Sequence, residues 1–210
     1  MKITLAASVL FAAALQNCPA QTDTNLLAIG DWSAPVTDAA WTLRGRLVVY
    51  APLPEAPDEK TAGIWNAARV YVDLQLIDPN IFTLNNPAEI YIDHYLPMHC
   101  EMRDGHDQPV PSQEGWFPSS SPPPLPYTVT LSTDSTVRLR ASTGVVALRP
   151  TVLKFAVPER AWALPKMDTN EYFLSATFAP STNHPSDLNY HVWQGTLQLP
   201  KVKIPVSQLK

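Results

Sequence analysis

Apolar and polar residues alternate with a period of two along most of the chain, which is the pattern of strands with one buried face. Residues 41–50 place small or apolar residues on one face, namely Leu43, Gly45, Leu47 and Val49. Arg44 and Arg46 lie on the opposite face. Residues 67–77 repeat the pattern, and their predicted outward side chains are Arg69, Tyr71, Asp73 and Gln75. Both segments are therefore predicted to be strands.

Further runs with this period bring the prediction to about ten strands. They lie at Glu89–Asp93, Met98–Arg103, Tyr127–Ser132, Thr136–Ala141, Val152–Val157, Tyr172–Phe178, Val192–Leu199 and Val202–Val206. Helical patterning is confined to a short turn within residues 58–68. The 22 prolines remove backbone donors that a helix needs. The expected fold class is all-β, an antiparallel β-sandwich with one long proline-rich loop.

That loop, residues 109–126, is the longest irregular stretch and contains the run Ser-Ser-Ser-Pro-Pro-Pro-Leu-Pro. It could be a linker between two domains or a polyproline excursion from one domain. About five predicted strands lie on either side, too few for a separate sandwich in each half. We therefore expect one domain over residues 41–210, preceded by an N-terminal extension at residues 21–40.

The first twenty residues have the features of a secretory signal peptide. Lys2 provides the positive region, residues 3–15 are uncharged and mostly apolar, and a short polar segment ends at Ala20. Asn17 stands where a lipoprotein signal has a small residue, so cleavage after Ala20 is favoured over lipidation of Cys18. The expected location is secreted, periplasmic or at the cell envelope, with the lipid-anchored form disfavoured.

Composition narrows the expected partners. The chain is 45% hydrophobic and 16% charged, with a net charge of −4 and no run of Lys or Arg, so we expect no nucleic-acid partner. No second apolar stretch approaches the roughly 20 residues of a membrane helix. Once Cys18 is removed, Cys100 is the remaining cysteine. Its period-two neighbours Met98 and Met102 are apolar, which predicts a buried thiol rather than an intermolecular disulfide.

The segment Asp168-Thr169-Asn170-Glu171-Tyr172-Phe173-Leu174 resembles the corner before the penultimate strand of immunoglobulin-like domains. In that family an Asp lies four residues before a Tyr whose hydroxyl bonds to upstream backbone. Residues 172–178 and 191–199 resemble the final hairpin of the fold. Leu174 stands where antibody-type domains have a cysteine. The resemblance therefore implies a sandwich without the inter-sheet disulfide, of the kind found in secreted bacterial proteins.

A cluster of metal-ligand residue types lies between residues 93 and 107. His94, His99 and His106, with Cys100 and nearby carboxylates, are candidates for zinc or copper ligands. However, Cys100 faces away from His99 on a strand, and Pro97 separates His94 from both. Residues 104–107 have the composition of a hairpin turn. We therefore favour a solvated strand edge and turn, and we expect no cofactor.

The sequence lacks the usual signatures of hydrolases. It contains no G-x-S-x-G or H-E-x-x-H motif. A pair of acids of the glycosidase type remains an alternative, because its spacing is set by the fold. Glu89, Glu101 and Glu171 are the candidates for it, although each is also explained as an outward strand or turn residue.

Trp116 and Phe117 are the candidate ligand-binding residues, because they lie in the proline-rich loop where no alternation directs them to a core. They could stack on a sugar or dock a protein, or they could anchor the loop to the domain. The leading expectation is a secreted, non-catalytic binding or structural module of the cell envelope, with an extracellular protein or glycan as partner. The alternatives are an extracellular hydrolase acting on glycan or peptide, and a zinc- or copper-binding envelope protein.

Overall fold

Strands dominate the regular structure in the part of the chain that the structure describes. The computed structural model describes residues 25–38, 41–52, 67–77, 88–93, 96–114, 125–133, 135–141, 152–157, 160–165, 169–181 and 192–206. These residues form strands and contain no α-helix, which confirms the all-β prediction. The predicted signal peptide and Asp168 of the predicted corner lie outside the described residues.

Thirteen strands occur in the described part of the chain. They are β1 (Leu26–Ile29), β2 (Val36–Asp38), β3 (Trp41–Tyr50), β4 (Ala67–Ile77), β5 (Ala88–Ile92), β6 (Met98–Asp104), β7 (Gln113–Glu114), β8 (Tyr127–Leu131), β9 (Thr136–Arg140), β10 (Val152–Val157), β11 (Arg160–Pro165), β12 (Tyr172–Phe178) and β13 (Leu197–Ile204). The sequence predicts β3, β4, β10 and β12 with these bounds. Where the sequence predicts two strands, the structure has the single strand β13. Its ladder with β12 continues past Pro200 with a register shift.

The long antiparallel pair β3–β4 is the centre of the largest sheet. Its nine registered residue pairs run from Thr42 opposite Ile77 to Tyr50 opposite Arg69. The sheet has eight strands in the order β1-β3-β4-β10-β11-β7, with β2 added beside β3 and β9 beside β4. Its β4–β10 pair is parallel. Each side of the central pair is thus lined by two short strands, one near each end.

β1 and β2 lie within the segment expected to be an N-terminal extension, and both pair with β3. Alternation does not reveal them because they have only four and three residues. β1 carries a bulge, at which Leu27 and Ala28 both pack against the core. Leu26 and Ile29 point to the other face of the sheet. The first described residues are therefore part of the largest sheet.

A three-stranded sheet, β13-β12-β6, packs over the inner face of β3. The two sheets approach closely at Gly45, because a Cβ atom built there would lie 2.8 Å from Leu199 Cδ2 and 3.2 Å from Leu197 Cδ1. The remaining pair, β5–β8, is antiparallel. The side chains between the sheets form one hydrophobic cluster, in which Phe155, Phe178 and Trp193 are fully buried.

Candidate functional site: an arginine-rich sheet face

The outward positions of β3, β4 and β9 form a face that we call the arginine face. Strand register brings these positions into lines across the sheet. One line joins Arg46, Asp73 and Arg138, and the adjacent line begins with Arg44 opposite Gln75. The complete set of its charged and aromatic residues is Arg44, Arg46, Tyr50, Arg69, Tyr71, Asp73, Arg138 and Arg140.

Asp73 is the buried anchor of this face. Only 1% of its side chain is exposed. Arg46 Nε donates to Oδ2 at 3.1 Å, while Arg138 Nε and Nη2 donate to Oδ1 and Oδ2 at 2.6 and 3.0 Å. The hydrogen bond with Asp73 is the largest influence on Arg138, and it raises the pKa of that guanidinium. Such a bidentate pair fixes the plane of the guanidinium as well as its charge.

Arg44 and Arg69 hydrogen-bond to neutral acceptors. Arg44 Nε and Nη2 donate to Gln75 Oε1 at 2.9 and 2.7 Å, and Arg69 Nε and Nη2 both donate to the carbonyl of Ala51 at 3.4 Å. Within the described residues, no ion pair neutralises either side chain. Hydrogen bonds thus hold both charges in place, and no carboxylate of the described residues compensates them.

Trp32 holds two of the arginines from the side of β3. The backbone on either side of it is fixed to β3, because Gly30 N donates to Leu47 O at 2.9 Å and Ser33 N donates to Gly45 O at 2.7 Å. The guanidinium carbons of Arg44 and Arg46 lie 4.7 and 4.4 Å from the centre of the Trp32 ring. These are cation–π distances, so the indole orients both guanidiniums.

The net charge of the arginine face is opposite in sign to the net charge of the whole chain. Its outward positions carry five arginines and one aspartate, whereas the whole chain has a net charge of −4. The rest of the chain is correspondingly acidic. A segregated positive surface attracts anions even when the net charge repels them.

Two of the three histidines proposed as metal ligands, His99 and His106, lie in the described part of the chain. His99 lies exposed on β6, and Cys100 is buried on its opposite face. His106 is in the exposed turn after β6, where Asp104 Oδ1 accepts hydrogen bonds from the backbone N–H groups of His106 and Gln108. His94 and Cys18 lie outside the described residues. Across the described ranges, no three His, Cys, Asp or Glu side chains are placed to share a metal ion.

The candidate catalytic carboxylates lie on separate elements. Glu89 is buried on β5, where its Oε2 has no hydrogen-bond partner among the residues that the structure describes. Glu101 is exposed on β6 opposite Ser175, and Glu171 forms an ion pair with Lys203. Ser175 lies four residues after Glu171, about 13 Å along an extended chain. Glu171 is therefore about 13 Å along the chain from the residue opposite Glu101, so the two carboxylates start from distant backbone positions.

A small pocket lies beside β6 and β11. Its volume is about 80 Å³, and Arg103, Val110, Arg160 and Trp162 are among its lining residues. Trp162 Nε1 donates to the carbonyl of Val110 at 3.1 Å and closes one side. Ligand pockets for small molecules are usually several hundred Å³, so this pocket is a weaker candidate than the arginine face.

Trp116 and Phe117, the binding residues proposed from sequence, lie outside the described residues. The alternation along β3 and β4 predicts that Arg44, Arg46, Arg69 and Asp73 point outward, but it does not group them with β9 or with Trp32. The signal available for β9 is the alternation of Arg138 and Arg140 about the apolar Leu139.

Comparison with protein-family models, curated proteins and solved structures finds no significant match. Within the described ranges, no helix combines the length and the hydropathy needed to span a membrane.

Proposed function

We propose that this chain is a secreted, non-catalytic binding module of the cell envelope that holds an anionic extracellular partner on the arginine face. The proposed scaffold is an immunoglobulin-like β-sandwich. Three features support it: β13 packs across β3, β12 and β13 pair as successive antiparallel strands, and Tyr172 is buried at the start of β12.

The observation that carries the proposal is the pairing of Arg44 and Arg69 with neutral acceptors. A sheet face needs no charge for its own stability, and like charges on neighbouring strands are destabilising. Asp73 compensates Arg46 and Arg138 only in part, since one carboxylate faces two guanidiniums. The arginine face is therefore organised to receive a further anion, which would accept hydrogen bonds from pre-oriented donors.

A carboxylated chromatography matrix tests this proposal directly. A protein with a net charge of −4 is repelled by such a matrix unless its positive charge is segregated. We expect retention at pH 7 and low ionic strength, elution by roughly 0.15 M salt, and no retention on the uncharged parent matrix.

Substitutions on different surfaces of the protein identify the surface that is responsible for retention on the matrix. Arg44→Gln should lower the salt concentration at elution, because it removes a positive charge whose hydrogen-bond acceptor, Gln75, is neutral. Arg103→Gln is the matched control, since it removes the same charge from a side chain on β6 that already pairs with Glu101 and Asp107. Replacing both Trp116 and Phe117 by Ala tests the loop suggested by the sequence. Failure of the wild-type protein to be retained, or an equal effect of Arg44→Gln and Arg103→Gln, would contradict the proposal.

A further inference from the structure

The arginine face has an apolar edge, formed by Leu26, Ile29 and Trp32. Register places Ile29 opposite Val48 and Leu26 opposite Tyr50, on the same side of the sheet as the arginines. Leu26 is 44% exposed and Ile29 is 47% exposed, although both are large and aliphatic. The bulge in β1 produces this arrangement because it directs Leu27 and Ala28 to the core.

The composition of the face and its edge is that of a protein-binding surface. Arginine, tryptophan and tyrosine are the residues enriched at the energetic centres of protein interfaces, where lysine and glutamate are depleted. The outward positions of β3, β4 and β9 contain neither lysine nor glutamate. Tyr50 is 6% exposed and packs edge to face against Tyr71, and the guanidinium carbons of Arg69 and Arg138 lie 5.2 and 5.5 Å from its ring, so it supports the arginines from below.

The dimensions of the surface fit a peptide better than a folded domain. Arg44 and Tyr50 are six residues apart on β3, about 20 Å, and the distance from β1 to β9 is three strand spacings, about 14 Å. The resulting patch is roughly 300 Å², well below the approximately 800 Å² that each partner contributes to a standard interface.

We infer that the occupant of the arginine face is an acidic peptide segment with an apolar side chain that packs on Leu26 and Ile29. This inference rests on the proposed function and specifies its partner. The carboxylates of the segment pair with the arginines, and its apolar side chain covers the half-exposed aliphatic groups. An acidic polysaccharide satisfies the charges but gains little from exposed leucine and isoleucine, which offer apolar area rather than polar partners.

Three soluble polymers separate these ligand classes in a titration. Poly-L-glutamate supplies carboxylates alone, a glutamate–tyrosine copolymer adds apolar side chains, and polygalacturonate supplies carboxylates on a sugar chain. We expect the copolymer to bind about tenfold more tightly than poly-L-glutamate, the effect of burying one modest apolar area. Polygalacturonate should bind no more tightly than poly-L-glutamate.

Variants of the apolar edge complete the test. The double variant Leu26→Ser with Ile29→Ser should reduce copolymer affinity to that of poly-L-glutamate. Leu125→Ser is the control, because Leu125 is 84% exposed two residues before β8, and this change should leave both affinities unchanged. Thermal unfolding checks that the variants fold. If the double variant does not fold, Ile29→Ala replaces it and should lose part of the tenfold preference for the copolymer.

The outcomes distinguish the two proposals. Equal affinities for the copolymer and poly-L-glutamate would overturn the inference of a peptide partner, but not the proposal that the arginine face binds an anionic partner. Tighter binding of polygalacturonate would also overturn it, in favour of a glycan. Absence of binding to all three polymers would overturn the inference and the proposed function together.

Discussion

Arg138 on β9 holds both carboxylate oxygens of Asp73 on β4, at 2.6 and 3.0 Å, across 65 residues of sequence. The carboxylate is buried, whereas 39% of the Arg138 side chain remains exposed. The pair therefore fixes β9 against β4 and also presents the remaining guanidinium surface to solvent. Asp73 serves the fold and the arginine face together.

Asp73→Asn should lower the free energy of unfolding by about 2 kcal/mol, because it removes two charge-assisted interactions from a buried position. The loss is smaller than for a fully buried pair, since the freed arginines can be solvated. Urea unfolding measures it. Thr136→Ala, an exposed change on β9, is the control and should fall within about 0.5 kcal/mol of wild type. An Asp73→Asn protein as stable as that control would contradict the assigned role.

Gly45→Ala should destabilise the protein by about 1–3 kcal/mol, because the added methyl group meets Leu199, Leu197 and Leu74 at 2.8 to 3.2 Å. Gly30→Ala provides a matched comparison, since its nearest contacts lie at 3.5 Å, an ordinary van der Waals distance. Chemical denaturation of both variants checks the packing of β13 on β3. Equal stabilities would show that the two sheets do not approach closely at Gly45.

Trp32→Leu should weaken retention on the carboxylated matrix even though it removes no charge. Without the indole, Arg44 and Arg46 lose a cation–π contact worth about 0.5–1 kcal/mol each at an exposed site, and their side chains regain rotamer freedom. Trp32→Phe keeps a ring at the position and should have a smaller effect. Unchanged elution of Trp32→Leu would mean that the arginines are oriented by β3 and β4 alone.

Stability at alkaline pH should depend on Tyr127. Tyr127 is 44% exposed, and its partial burial raises the pKa of this phenol above its ordinary value. Below about pH 10 the phenol is neutral in both states; above it, the unfolded chain loses the proton first, so stability falls as pH rises towards the folded-state pKa. Tyr127→Phe should therefore lose less stability than wild type between pH 8 and about pH 11. A difference between the two proteins that does not change with pH would contradict this.

Alternation predicts the outward placement of Arg44, Arg46 and Asp73, because a strand with one buried face places alternate residues outside. The pairing of β9 with β4 does not follow from it, since register over 65 residues is set by tertiary packing. The position of Trp32 against Arg44 and Arg46 does not follow from the sequence either, because residues 30–33 have no regular pattern. The sequence predicts the components of the arginine face, and the fold brings them together.

The rate at which phenylglyoxal modifies each arginine, measured by mass spectrometry with and without poly-L-glutamate, tests directly whether the arginine face is the binding surface. The polymer should slow the modification of Arg44, Arg46 and Arg138 severalfold. It should leave Arg103 and Arg160, which line the small pocket elsewhere, unchanged. Equal protection of all arginines, or protection of Arg103 without Arg44, would contradict the assignment of the arginine face as the binding surface.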